Sequence, residues 1–527
     1  MCTSRRPYCP WAAGMLVVML FTVGCEGLFG DLPAFQVELA SCESDADGNY
    51  GGGEGTLQDP YVLCAPEHLQ QLAESDDLDA HFRVTAEIDA EDVQIDPIGT
   101  YDAPFHGTFE ADYPIKGLEL IIDEGLAGLF GVIDDDGEIR GLTLHDTDIV
   151  GNDVAGIVAA INRGEIVDAD IAGTVDGDSR VGGIVGVNES GAVIENIVAD
   201  VKVSGRNWTG GISGENYGEI NDVDASVSVS TGRTIGESAG EDSRVTAGAA
   251  AKNAGEINDV VLEGDVESGG TLRPSGSAAE VTAGLVGLNT GTISQSMTDM
   301  DIVSGGTIDV HFSDEEGVYE SGAFLAAGFA GYNTGTIRRS SSAGSAGTTG
   351  SIEDEENNLS FPYKAAGFAA MNGGRIEDCY TTTESVDFRE SFSGASLSGF
   401  VVRLEGEPMA LRELDVSVEE TEDEPSLRRV YAAGHVDDAT VQGGVTARSP
   451  SEGVIDASVW DIETTGVETS SSSNSSDKAG ISSDRFSEAG ASSMFSDWNF
   501  SAVWEYANVP GESADIERPV LQWQLDD

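Results

Sequence analysis

Gly211-Ile212-Ser213-Gly214, then Asn216-Tyr217-Gly218, then Ile220 and the alternating Val223, Val227 and Val229: this run decides how the chain is read. It is one copy of a unit made of a glycine, two mostly apolar residues, a glycine or alanine, often an Asn-x-Gly, an aliphatic residue and an alternating stretch. Earlier copies begin at Gly128-Leu129-Phe130-Gly131, Gly156-Ile157-Val158-Ala159 and Gly183-Ile184-Val185-Gly186, so the four starts lie 28, 27 and 28 residues apart. Later copies begin at Gly248, Gly284, Gly328 and Gly367 with spacings of 36 to 44 residues. Degenerate copies follow at Gly399-Phe400-Val401-Val402 and Gly444-Val445-Thr446-Ala447. The added residues, as in 231–243 and 351–360, are rich in Gly, Ser and acids and read as loops extruded from a regular core.

The unit has a physical logic. Asn-x-Gly recurs at Asn162, Asn216, Asn253, Asn289, Asn333 and Asn372. Glycine permits positive φ at a sharp corner, and asparagine can bond its own backbone there. After each corner comes Ile166, Ile220, Ile257, Ile293, Ile337 or Ile376, and the alternation beyond suits a strand with one face buried. Such a unit cannot bury its apolar face alone; stacked copies can. Stacking would also let the asparagines form a hydrogen-bonded ladder. The expected fold is all-β: a right-handed parallel β-solenoid (β-helix) of about ten glycine-cornered coils with N- and C-terminal caps. Gly156, Gly183, Gly211, Gly284, Gly328 and Gly367 are its repeat corners. With coils ~4.8 Å apart the rod would be on the order of 50 Å long.

These repeats resemble the GLUG-motif family of surface-exposed bacterial and archaeal repeat proteins. The resemblance extends to Asp59-Pro60-Tyr61-Val62-Leu63, Phe82 to Asp89 and Pro104 to Phe109 before the repeats. After them it takes in Val459-Trp460-Asp461-Ile462, Trp498-Asn499-Phe500 and Pro519 to Trp523. It implies a scaffold fold and brings no shared catalytic residues. The chain then divides into a signal peptide (residues 1–24), a lipidated Cys with a short linker (25–43), an N-terminal cap with first strands (44–125), the repeat solenoid (126–456) and a C-terminal cap segment (457–527).

The signal reading rests on Arg5 and Arg6, the apolar stretch Trp11 to Val23, and Phe21-Thr22-Val23-Gly24-Cys25, which resembles a lipobox with Cys25 as the lipidated residue. Ser4-Arg5-Arg6 also resembles the start of a twin-arginine export motif. The expectation is export and lipid anchoring to the cell envelope, at the outer or cell surface. An oxidising compartment then favours a disulfide between Cys42 and Cys64, which would contribute about 3 kcal/mol. Cys379, in a strand-like run, reads as a small buried hydrophobe.

The whole chain carries 26 basic and 94 acidic side chains, a net charge of −68. Such a surface repels nucleic acid and anionic membranes. The acids are spread throughout, which fits life in strong salt, where the Debye length falls to about 3 Å near 1 M. A cation-gathering surface is the other explanation. Its local candidate is Asp45-Ala46-Asp47-Gly48-Asn49, with oxygen ligands at alternate positions but without the later Gly and Glu of an EF-hand loop.

Little else reads as chemistry. None of His68, His81, His106, His145, His311 and His435 stands in His-Glu-x-x-His, and there is no Cys-x-x-Cys, which argues against a zinc hydrolase. Runs such as Asp134-Asp135-Asp136 are expected from composition, and Gly51-Gly52-Gly53 lacks the Lys-Ser/Thr of a phosphate loop. Trp460, Trp498, Trp504 and Trp523 read as a hydrophobic plug on the last coil rather than a carbohydrate platform. The sequence therefore points to a non-catalytic surface or envelope lipoprotein: an adhesive, binding or structural scaffold of a salt-adapted prokaryote. Its ligand would be a polysaccharide or a surface protein, with no cofactor. The alternative is a polysaccharide-active β-helix lyase or hydrolase with an acidic site.

Overall fold

The structure, a computed structural model, describes residues 50–525 apart from residues 92, 236–242, 273–278, 311–322, 355–362, 388–394, 405–423, 440, 448–452, 471–477, 487–494 and 509–516. Each repeat passes through three sheets in turn. Arg180–Gly182 belongs to a ten-stranded sheet, Val185–Asn188 to a nine-stranded sheet and Val193–Gly205 to a 22-stranded sheet. The next repeat supplies Trp208–Gly210, Ser213–Asn216 and Glu219–Thr231, each paired in parallel with its counterpart. This is the stacking of a parallel β-solenoid. The repeat aliphatics meet in register, Ile166 to Ile194 to Ile220 to Ile257, then Ile293 to Ile337 to Ile376. A second inner column, Ile157, Ile184, Ile212, Leu285, Phe329, Phe368 and Phe400, is fully buried. In it Phe329, Phe368 and Phe400 stack with ring centroids 4.6 and 4.7 Å apart.

The glycines are needed for a different reason from positive φ. Neither Gly183 and Gly211 nor the Asn-x-Gly glycines Gly218, Gly255 and Gly291 have left-handed backbones. A Cβ at Gly183, Gly211, Gly248, Gly284 or Gly328 would strike the carbonyl oxygen of the equivalent glycine one coil on. Gly255, Gly291 and Gly335 form a second such column, blocked by the carbonyl of the preceding coil. The columns exist because the coils approach too closely there for any side chain.

Left-handed backbone occurs instead two residues after the stacked aliphatic. Asp168 (φ 58°), Asn196 (55°), Asp222 (51°) and Asp259 (56°) bend the long strands, and the column continues through Gln295, Arg339, Asp378 and Arg429. Strand register skips these residues, as between Val167–Glu195 and Ala169–Ile197. Short polar side chains tolerate the conformation best, which is why Asp and Asn fill its first half.

The insertions are not only loops. Thr271–Leu272, Thr307–Val310 and Ser351–Asp354 form a three-stranded parallel sheet of their own. Beneath it lies a small core that includes Ile235, Leu272, Ile308, Phe324 and Tyr363. At the N-terminal end, the helix Pro66–Ala73 buries His68, Leu69 and Leu72. Gly51 and Gly52 bond Val62 on the free side of strand Tyr61–Leu63, closing an edge that could otherwise pair with another chain.

The expected C-terminal plug is divided in two. Trp460 enters the main core, and its Nε1 donates to the Val467 carbonyl at 2.8 Å. Trp498 and Trp504 belong to a separate cluster with Phe486, Phe495, Val520 and Leu521. That cluster covers Tyr380, Tyr431 and Val459, whose strand neighbours Cys379, Val430 and Trp460 point into the main core. The C-terminal segment is thus a strap along the outer flank of several coils. Trp523 Nε1 donates to the Arg339 carbonyl (2.9 Å), Gln524 Nε2 to Ser341 Oγ (2.8 Å), and Tyr380 Oη to Gln524 Oε1 (2.8 Å). Arg518 anchors it to the last coil through a fully buried ion pair with Asp461 at 2.9 Å.

Candidate functional site

The outer face of the 22-stranded sheet follows from alternation. Every second residue of a long strand points outward, and these are mainly acids and hydroxyls, with a few lysines and exposed aliphatics such as Ile121 and Val198. Glu263 lies in register with Asp299, and Asp265 with Asp301, so carboxylates stack on successive coils. Some hydroxyls bridge to them: Ser228 Oγ donates to Asp265 Oδ2 at 3.1 Å and Ser345 Oγ to Asp301 Oδ1 at 2.8 Å.

A cleft of about 570 Å³ opens near the N-terminal end of this face, lined by Asp89, Glu91, Lys116, Gly117, Leu118, Glu119, Asp146 and Asp148. Three successive coils build it, and an irregularity makes room for it. Gly117 (φ 65°) interrupts one strand, and Asp146 (φ 53°) is an extra residue in the next, where register shifts between Leu144 and Thr147. Five carboxylates therefore face one basic group, Lys116, whose Nζ already donates to Glu87 at 2.8 Å. Asp148 accepts from the Thr174 hydroxyl, and Asp89 Oδ1 from the Glu91 backbone N–H at 3.2 Å. Such a cleft attracts cations and can accept hydrogen bonds from sugar hydroxyls. No aromatic side chain is among the described residues lining it, so it has no stacking platform for a sugar ring.

The buried ionic groups are structural. Arg244 and Glu280 pair at 3.2 Å where the inserted lobe meets the ten-stranded sheet, both fully buried. Burial pushes the Glu280 carboxyl up to about 7, against the pull of Arg244 and Ser268. Arg244 also donates to the carbonyls of Arg206, Arg233 and Gly269, tying the insertion to the coils. At the strap, Arg429 binds Asp378 and Glu377; burial opposes ionisation of Glu377, yet Arg429 and Arg375 hold it below its ordinary value.

Inside, the seven asparagines Asn162, Asn188, Asn216, Asn253, Asn289, Asn333 and Asn372 form a continuous ladder, each Nδ2 donating to the next Oδ1 at 2.7 to 2.9 Å. Several also bond their own turn, as Asn216 Nδ2 does with the Gly218 carbonyl at 3.3 Å. Asn188 was not evident as a member, because its corner reads Asn188-Glu189-Ser190-Gly191 and turns through Gly191 (φ 90°). The ladder stops where Ile133 and Leu404 occupy the equivalent positions.

The other residues singled out in the sequence fall as follows. Cys25, Cys42, His311 and the Asp45 to Asn49 candidate for calcium lie outside the described residues. Cys64 is disulfide-bonded. Cys379 is buried and free, its thiol pushed up by burial. Burial lowers the His68 pKa, and its Nδ1 accepts from the Cys64 backbone N–H at 3.2 Å. His106, His145 and His435 each lie beside one aspartate, at 2.9, 3.7 and 3.4 Å. Among the described residues no group of three or more His, Cys, Asp or Glu is arranged to hold a metal ion, and no helix is long and apolar enough to cross a membrane. Gly183, Gly211, Gly284, Gly328 and Gly367 share the close-approach column, whereas a Cβ at Gly156 would meet the Ala159 carbonyl oxygen and the backbone of Val185 and Gly186 instead.

Fold and surface together define an acidic, all-β protein of stacked parallel sheets with a strapped flank. No family model matches the chain. Part of it is similar to halomucin of Haloquadratum walsbyi, at 30% identity over 151 residues, which take in 25% of this chain and 2% of that protein. The chain therefore spans a small fraction of that relative's length, and the similarity relates it to a protein of a salt-associated name and source.

Proposed function

We propose that the chain is a non-catalytic scaffold of the cell envelope, exported, anchored through a lipid on Cys25 and displayed in strong salt. In this reading it is a right-handed solenoid of about ten GLUG-like coils that presents rigid acidic faces and loops to a polysaccharide or surface-protein ligand. The observation that carries it is the pairing of a fully bonded interior ladder with an outer face of stacked carboxylates. Rigid repeats of this kind position loops and flat faces for binding. The similarity to halomucin, whose name joins salt to mucin, supports the same reading. Calcium would enter as a surface counterion or at Asp45 to Asn49, and no other cofactor is needed.

The acidic cleft favours a second reading, a polysaccharide-active enzyme using two of its carboxylates. One experiment separates the two. The chain is assayed for glycan-array binding and for release of reducing ends or unsaturated products from acidic and neutral polysaccharides. Binding without turnover is expected; turnover lost in Asp148→Asn would establish the enzyme instead. Anchoring has its own check. Cys25→Ser should shift the chain from the membrane fraction to the soluble fraction, and unchanged partitioning would remove the lipid from the proposal.

A further inference from the structure

Five asparagines stand in Asn-x-Ser/Thr with no proline between: Asn188, Asn207, Asn358, Asn474 and Asn499. In an exported chain this triplet is the acceptor for an N-linked glycan, provided the asparagine is reachable. Asn358 and Asn474 lie outside the described residues. The fold sorts the other three. Asn188 is fully buried and its Nδ2 is committed to Asn216 in the ladder at 2.8 Å. Asn207 is 1% exposed. Asn499, in Asn499-Phe500-Ser501, is exposed on a turn of the C-terminal strap, as is Ser501.

We propose that Asn499 is an N-glycosylation site. The turn is already arranged for it. The Ser501 hydroxyl donates to Asn499 Oδ1 at 2.7 Å, and the Ser501 backbone N–H donates to the same oxygen at 3.1 Å. Both bonds draw on the amide oxygen, and no described residue accepts from Nδ2. The Asn499 carbonyl accepts from the Val503 and Trp504 amides at 3.0 and 3.1 Å, which fixes the turn. Its two flanks are held by Trp498 and Trp504, with ring centroids 4.4 Å apart against the solenoid. The acceptor thus sits on a rigid outward turn whose neighbours, not itself, carry the packing.

The co-substrate is an oligosaccharide on a polyprenyl phosphate carrier. A bond forms between Asn499 Nδ2 and the anomeric carbon. The bond from that carbon to the carrier's phosphate oxygen breaks, the phosphate leaves with the bonding pair, and Nδ2 releases one proton. A neutral glycan at this point would extend hydration over the strap without adding to the chain's negative charge.

The inference rests on export, and the test separates the two. The full chain is recovered from its native host, digested after glutamate, and the Ala489–Glu505 peptide is weighed. In parallel, intact cells are treated with protease to establish surface exposure. A glycan mass on this peptide is expected. It should disappear in Asn499→Gln and in Ser501→Ala, and persist in Ser501→Thr, while peptides containing Asn188 and Asn207 stay unmodified. A chain that is stripped from intact cells yet carries a bare Asn499 overturns the site and leaves export standing. A chain that resists stripping with a bare Asn499 overturns both.

Discussion

At the residue scale the ladder asparagines separate what a sequence can display from what it cannot. Asn-x-Gly is a visible motif, and the repeat brings six of the seven rungs into register on the page. The reason for glycine was not visible, because a short distance between coils leaves the same mark as a positive φ. The true left-handed positions, Asp168 to Arg429, were missed for the converse reason: acids are so common here that an aspartate column does not stand out. The ladder makes a direct prediction. In Asn253→Ala, Asn289 Oδ1 loses its donor at 2.8 Å and Asn216 Nδ2 loses its acceptor at 2.7 Å, both deep in the core. Leaving a buried polar group without a partner costs about 1–3 kcal/mol. The urea midpoint should fall well below that of Asn221→Ala, a half-exposed surface control. Equal midpoints would mean that the ladder contributes nothing beyond its local turns.

At the element scale the strap is the feature that sequence reading placed least well. Its tryptophans announced a cap, but whether they close an end or lie along a side depends on outward residues of distant strands. Tyr380 and Tyr431 are those residues, and alternation alone gives no reason for aromatics on a face that otherwise carries mainly acids and hydroxyls. Stacked with centroids 5.0 Å apart, they create the apolar seat on which Trp498 and Trp504 rest. The Arg518–Asp461 pair locks the strap in place, and Arg518 also lies over the Phe486 ring at 5.1 Å. Removing one partner of a buried pair costs about 3–5 kcal/mol, since the other charge stays desolvated. Arg518→Ala should therefore release the strap before the coils. Limited proteolysis is expected to cut within residues 486–525 first, with tryptophan emission shifting to the red, while amide protection of the ladder strands is retained. Loss of protection throughout the coils would show that the strap and the solenoid unfold as one unit.

For the whole molecule, the repeat period made the stacked parallel architecture legible, because each copy restates the same apolar face. The insertions hid their own small sheet, since Gly, Ser and acids give no apolar run long enough to announce strands such as Ser351–Asp354. The acid excess, by contrast, needed the structure to become a mechanical statement. Parallel pairing in register puts Glu263 against Asp299 and Asp265 against Asp301, so repulsion acts along the rod, between coils. Neighbouring rungs lie ~4.8 Å apart. The Debye length is about 10 Å at 0.1 M salt and about 3 Å at 1 M, so the repulsion reaches across about two coils in dilute buffer and less than one in brine. The melting temperature should accordingly climb from 0.1 to 2 M KCl, and the double change Asp265→Ser with Asp301→Ser should make that climb shallower. Serine is the residue that the same outward column already carries at Ser228 and Ser345, so the substitution keeps the strand and removes the charge, together with the hydrogen bonds that Asp265 and Asp301 accept from those two hydroxyls. A melting temperature indifferent to salt would detach the acidic surface from stability and leave it to solubility and ligand choice alone.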